Sequence, residues 1–464
     1  MATISPAVHA LARRAGDGRP AAPVGHVHLG LGSFFRAHQA WYTEHSPDRD
    51  QWGIAAFSGR SSALASALAS QDCLYTLVTR AAARDQFAVI GSLSAAHPAS
   101  DHESFLRYLA RPSVRLLTLT ITEAGYHRDS DSGLDTRHPA VAADLAALRV
   151  RMTEPVHTAA ARLIAGLAAR YAAGGAPITI VSCDNLPDNG HVTARVVGRF
   201  AELVDPELAG WISGSVSFPD TVVDRITPRL SAADPGVVAE RTHRADRAPV
   251  VTEPFSEWVL SGSFPAGRPG WEHAGAVFTD TITPFEQRKL WLLNGGHSLL
   301  AYAGSLRGHD TIAAAAGDQV CADWLKEWWD EAAAHLVLPA ASISDYRSEL
   351  LARWANHRIR HLLAQVAADG SQKLPVRVLP VLRAERERGR VPSGAVRILA
   401  AWLCHLRGAG VPVSDPRGSE LTALASGPLD SAARQVLGAL DPALGEDSDL
   451  IAAVRAAARD LCPT

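Results

Sequence analysis

Of the 45 Lys and Arg residues in this 464-residue chain, three are lysines, Lys289, Lys326 and Lys373, and the other 42 are arginines. Where a positive charge alone suffices, arginine fills the position. A guanidinium does not release its proton in a protein, whereas an amine in a dry pocket can act as a base near neutral pH. Lys326 sits in Trp-Leu-Lys-Glu-Trp-Trp, a charged helix, and reads as solvent-facing. Lys289 opens Lys-Leu-Trp-Leu-Leu-Asn-Gly-Gly-His, which carries Asn294 and His297. Lys373 follows Asp369-Gly-Ser-Gln, expected to be a tight polar loop.

The apolar spacing of Phe285, Leu290, Leu293, Leu299 and Leu300 predicts a helix over 285–304. On an α-helix, His297 would lie about 80° round and about 12 Å along from Lys289. Asn294 and His297, three apart, would share a face. Gly295 and Gly296 cost about 1 kcal/mol each against alanine, so something is expected to approach the backbone there. The spacing fits equally a core helix with a snorkelling lysine and a satisfied histidine.

Other polar groups gather where strands end. Val24–Leu29 reads as a strand running into Gly30-Leu-Gly32-Ser33-Phe34 and a helix. Two glycines so spaced let backbone approach a pyrophosphate, and the helix start offers free N–H groups. Phe35 stands where the third fingerprint glycine would be. Trp52–Phe57 reads as the next strand. Arg60 follows it in place of the acid that would select NAD, which leaves NADP open beside NAD as cofactor. Val114–Ile121 ends in Thr122-Glu123, and Ile178–Ser182 ends in Cys183-Asp184-Asn185. Strand ends are where open α/β sheets hold ligands, so Glu123 joins Gly30, Gly32, Ser33, Phe34 and Arg60 as candidates for the dinucleotide.

Strands alternating with helices, then helices alone, predict an α/β chain. A Rossmann-type dinucleotide-binding domain over 1–280 is followed by a mostly α-helical domain over 281–464. The expected later helices are 319–336, 347–366, 394–407 and 449–461, and residues 1–22 read as a loose lead-in. Hydrophobic residues at 47%, charged residues at 20% and a net charge of −3 describe an ordinary globular chain with no basic footprint for nucleic acid. No apolar run is long enough for a bilayer span and the N-terminus lacks a signal-peptide core. Five scattered cysteines have no zinc spacing, so no metal site is expected and a reducing cytoplasm is.

Four motifs, in order, carry a resemblance over roughly residues 25–380. They are His28-Leu-Gly-Leu-Gly-Ser-Phe-Phe-Arg36-Ala-His38, Ser182-Cys-Asp184-Asn185-Leu-Pro-Asp-Asn-Gly190, Val223-Asp224-Arg225-Ile-Thr-Pro228, and Lys289 with Asn294 and His297. Together they resemble the polyol-specific long-chain dehydrogenases, the family of mannitol 2-dehydrogenase and fructuronate reductase (mannonate oxidoreductase). The resemblance implies a zinc-independent NAD(P) enzyme, often a monomer, with Lys289 as base and Asn185 and Asn294 holding the reacting oxygen. It further implies substrate contacts at His297, Asp224 and Lys373, and a proton-exit carboxylate at Glu286. Gln365 and Ala368 stand where the mannitol branch carries Arg and His. The stretch Gln365–Pro375 instead resembles the fructuronate reductase branch.

The chemistry is consistent with that resemblance. Taking hydride from a secondary alcohol requires a base for the hydroxyl proton and donors for the alkoxide. A sugar acid would also require a cation for its carboxylate, for which Lys373 or Arg358 is available. A catalytically inactive dinucleotide-binding regulator would be expected to lack the base or the amides, and both are present. A glycerol-3-phosphate-type dehydrogenase would require a basic cluster for phosphate beside Lys289, which the sequence does not show.

Overall fold

The computed structural model describes residues 8–59, 61–129 and 133–462; Arg60, a candidate dinucleotide contact, lies outside the described residues. The chain divides into two compact units, Met1–Ile282 and Thr283–Thr464.

Short apolar runs bounded by glycine and polar turns build the first unit's sheet. Its strands are β1 (Val24–Leu29), β2 (Gly53–Phe57), β3 (Leu93–His97), β4 (Leu116–Leu119), β5 (Ile178–Ser182) and β6 (Val216–Ser217). They lie in the order β3-β2-β1-β4-β5-β6, every neighbouring pair parallel. Each residue of β2, β4 and β5 is buried, as a sheet covered on both faces requires. One face packs Val27, Leu29, Leu117 and Leu119 against Phe105, Ile164, Val196 and Phe200 of the helices His102–Leu109, Ala159–Ala172 and Asn189–Val204. The other packs Ile54 and Ala56 against Phe35, Ala40 and Leu68. This order places the topological switch point between β1 and β4, where such sheets take dinucleotides at the strands' carboxyl ends.

The expected loose lead-in is instead pinned from His9 onward. His9–Ala10 pairs with Arg244–Ala245, Leu11 is buried, and the Arg13 guanidinium donates to the carbonyls of Gly91 and Leu93 at 3.0 and 2.8 Å. Composition reads such a segment as polar and mobile, whereas long-range hydrogen bonds decide it.

The second unit is helical. The single helix expected over 347–366 is two, Ala340–Trp354 and Leu363–Ala367. Between them the side-chain oxygen of Asn356 accepts from the N–H of Arg358 at 3.2 Å, and Thr311 bridges to Leu362. The expected tight loop Asp369–Pro375 is a helix, Gly370–Arg377, entered through Asp369 at φ 59° with Pro375 inside. Its first turn is held by Asp415, which accepts from the N–H and the hydroxyl of Ser371 at 2.8 and 2.6 Å. That tertiary anchor outweighs the local turn propensity.

Candidate active site

The helix carrying Lys289 departs from α-geometry where the chemistry is expected. Thr283–Arg288 is α, Lys289–Asn294 is a π-turn, Gly295–Leu299 is α and Leu300–Gly304 is a second π-turn. The cause lies in the helix Gln319–Ala333, whose Trp328 and Trp329 give their indole N–H groups to the carbonyls of Trp291 and Leu292, both at 2.9 Å. With those acceptors claimed from outside, the ladder widens, and the N–H of Gly295 reaches the carbonyl of Leu290, five residues back. On an α-helix Lys289 and Asn294 would lie about 140° apart. A π-turn adds a residue to the turn, which brings residues five apart, Lys289 and Asn294, nearer to one face than α-geometry would.

The two glycines are required by tryptophan, not by a ligand. A Cβ on Gly295 would stand 2.8 Å from the Trp328 ring, and one on Gly296 would stand 2.8 Å from Trp354. The predicted close approach is therefore real, but its partner is the neighbouring indoles.

Lys289 is half-buried, with Glu286 buried one turn before it. Asn294 is buried, and its side-chain Nδ2 has no hydrogen-bond partner among the described residues. An unsatisfied buried donor costs about 1–3 kcal/mol, which fits a group whose acceptor is a ligand oxygen. The Nε2 of buried His297 accepts the indole N–H of Trp354 at 2.9 Å, which assigns its own proton to Nδ1. Burial, then the charges of His361, Arg377, Arg353 and Lys373, hold the imidazole well below its ordinary pKa. It is a neutral hydrogen-bonding group ringed by cations.

Lys373 donates from Nζ to the carbonyls of Ala368 and Val366 at 2.5 and 3.3 Å, which aims its amine along the turn that precedes it. Arg358 stands half-buried in the segment joining the two helices. In the first unit, Asn185 is exposed on the turn after β5, and Asp224 is buried at the end of the strand Asp220–Asp224. The carboxylate of Asp184 binds across the β4 and β5 ends. It accepts from the N–H groups of Ile121 and Thr122 at 3.2 and 2.8 Å and from the Tyr126 hydroxyl at 2.8 Å. Burial nonetheless raises its pKa. Thr122 is held at φ 67°, a strained setting for a β-branched residue, and it presents exposed Glu123 beyond it.

The turn after β1 is fixed from beneath. Gly30 sits at φ 109°, and a Cβ there would fall 2.1 Å from the carbonyl of Thr120; at Gly32 a Cβ would meet only the carbonyl of Gly30, at 3.5 Å, an ordinary contact. Gly30 is thus required by the fold and Gly32 is not, and beyond them Ser33 is exposed and Phe34 half-buried at the helix start. Below the turn, the Thr120 hydroxyl donates to the carbonyl of Gly30 at 2.9 Å. That makes Thr120 the acceptor for the Nε2 of His28 at 3.1 Å. The Nδ1 of His28 then accepts from Thr118 at 2.8 Å, and Thr118 accepts from the Nε2 of His26 at 2.7 Å. Burial keeps both rings neutral, His26 down to about 3. Phe35, in the third glycine's place, stacks on His28 with centroids 3.5 Å apart. Arg36 and His38 lock the following helix by donating to the carbonyls of Ala248 and Glu257.

Sequence reasoning missed Trp354, Arg353, Arg377, Thr118 and Thr120. The threonines were visible in principle, since Thr118 on β4 pairs with His28 on β1 and Thr120 follows two residues on, just past the strand. The tryptophan and arginines come from other helices, with no sequence signal to link them to His297. Among the described residues, the ligand atoms of His309, Asp318 and Cys321 gather within 4.8 Å. There Asp318 already accepts from Arg307 and His309 and caps the helix Gln319–Ala333.

A switch-point glycine turn in a parallel sheet and a lysine–amide pair on a helix define a two-domain dinucleotide-dependent oxidoreductase. Residues 24–273 match the mannitol dehydrogenase Rossmann domain and residues 281–461 the mannitol dehydrogenase C-terminal domain. The chain is 36% identical over 417 residues to mannitol 2-dehydrogenase of Cereibacter sphaeroides, covering 88% of this chain and 86% of that one. It is 35% identical over 460 residues to D-mannonate oxidoreductase of Escherichia coli K12, covering 94% and 93%. Its fold matches Pseudomonas fluorescens mannitol 2-dehydrogenase, in ternary complex with NAD and D-mannitol, at a TM-score of 0.81 and 34% identity, covering 98% and 94%. The chain belongs to the mannitol dehydrogenase family.

Proposed function

We propose that this chain is an NAD-dependent oxidoreductase that interconverts a polyol and its 2-keto sugar, of the mannitol/fructose type. In the reverse sense it would reduce the ketone. Lys289 accepts the hydroxyl proton, Asn185 and Asn294 hold the oxygen as charge develops on it, and His297 donates from Nδ1 to a neighbouring hydroxyl. Asp224 takes a further hydroxyl and Glu286 passes the proton outward. NAD, held over Gly30 and Gly32, supplies the hydride acceptor. The observation that carries this reading is the π-turn that holds half-buried Lys289 and buried Asn294, whose Nδ2 has no partner among the described residues.

A sugar-acid pair, D-mannonate and D-fructuronate, is a second reading, favoured by the charges of Arg353, Arg377 and Lys373 that reach His297. Initial rates with mannitol, arabinitol, sorbitol and mannonate, each with NAD and NADP, test both. Highest kcat/KM on a neutral polyol supports the first reading, on mannonate the second, and no reduction of either cofactor rejects both. The reading includes a monomer in the cytoplasm. Among the described residues no helix is long and apolar enough to cross a membrane.

A further inference from the structure

Two of the five cysteines lie on a pair of packed helices and belong to none of the roles assigned above. Cys404 is buried on the helix Ser393–Leu406. Cys462 is half-buried and closes the helix Ser448–Leu461, which packs along the first. Both address one oxygen: the carbonyl of Ala458 accepts the backbone N–H of Cys462 at 3.0 Å, and the Cys404 sulfur lies 3.6 Å from it. Both residues thus converge on one turn of the last helix, and both thiols are free.

We propose that Cys404 and Cys462 form a reversible disulfide when the protein meets a hydroperoxide, tying the last helix to the one beneath it. The roles are unequal because the burial is. Cys462, reached from solvent, attacks the peroxide; its sulfur is oxidised to a sulfenic acid and the peroxide is reduced to an alcohol, or to water from hydrogen peroxide. The Cys404 sulfur then attacks the sulfenic sulfur. The S–S bond forms, the S–O bond breaks, and the Cys404 proton leaves with the hydroxide as water. Burial and the neighbouring thiol push Cys404 up to about 12, so it remains a thiol until its partner is oxidised. Cys73, Cys183 and Cys321 are all buried and take no part.

The test uses the full chain treated with hydrogen peroxide, then denatured without reductant. The five thiols are expected to fall to three, with one bridged peptide containing Cys404 and Cys462 that is lighter by two hydrogens. Dithiothreitol should restore all five. Cys462→Ser, at the half-buried end, should retain its four thiols and yield no bridged peptide. Cys404→Ala should leave Cys462 as a sulfenic acid that a 1,3-dicarbonyl reagent traps. A bridge from Cys462 to another cysteine, or Cys462 carried to sulfinic acid in the unmodified chain while Cys404 stays free, would overturn the proposal. Should Cys404→Ala fail to fold, the peptide map of the unmodified chain and of Cys462→Ser decides alone.

Discussion

Trp354 gives its indole N–H to the Nε2 of His297 at 2.9 Å, and this one bond sets which ring nitrogen carries the proton. The tautomer matters because a neutral imidazole can offer a substrate hydroxyl either a donor or an acceptor, not both at one nitrogen. Trp354→Phe keeps an aromatic face for Trp329 and removes the indole N–H together with its five-membered ring. A hydrogen bond of about 1 kcal/mol corresponds to roughly a fivefold change, so KM for the polyol or sugar acid should rise about that much. KM for the dinucleotide should not move. Steady-state kinetics check both constants, and an unchanged substrate KM would remove His297 from substrate binding.

Lys289 is the group for which arginine is no substitute. Lys289→Ala should lower turnover by about 10²–10⁴ while dinucleotide binding, followed by fluorescence, persists. Lys289→Arg should be as inactive, because it restores charge without a removable proton. Recovery of activity by arginine would show that the position supplies charge and not base chemistry.

Within the sheet, β1, β2, β4 and β5 were readable as apolar runs, and β5 (Ile178–Ser182) has the bounds its sequence predicts; half-buried β3, Leu-Ser-Ala-Ala-His, and the two-residue β6 were not. The pinned lead-in and the helix Gly370–Arg377 were not, because Arg13 and Asp415 stabilise them through partners far along the chain. Around Lys289 the sequence supplied the residue types but the wrong phase. A π-turn is imposed by two indoles from another helix, and no local periodicity records it. The helix break at 355–362 is likewise fixed by a side-chain turn at Asn356 and a bridge to Thr311.

Thr120 lies beneath the dinucleotide turn, so it should affect cofactor binding and leave the chemical step alone. Thr120→Val keeps the shape and ends the hydrogen-bonded chain from His26 to the carbonyl of Gly30. The loss of about 1 kcal/mol of positioning should raise KM for NAD several-fold with kcat unchanged. A fall in kcat at unaltered KM would place Thr120 in the reaction itself.

The same buried chain should make the fold sensitive to acid. His26 is lowered to about 3 and His28 lies well below 6.5, both chiefly by burial, while the unfolded chain titrates near 6.5. Below that pH the unfolded state binds protons that the folded state refuses. Stability therefore falls as pH falls, by up to about 1.4 kcal/mol per pH unit for each histidine, and for His26 this continues down towards pH 3. Glu331, raised to about 7 by burial, acts in the opposite sense. Its contribution is present below 4.5 and is lost as pH rises through 7. The buried rings of His297 and His361, lowered likewise by burial, act with His26 and His28, so the histidines outweigh the one carboxyl and stability falls from pH 7 to pH 5. Urea unfolding at pH 7 and pH 5 measures it directly. His26→Gln, which keeps a donor for Thr118 but cannot titrate, should flatten the slope, and an unchanged slope in that variant would move the acid sensitivity elsewhere in the fold.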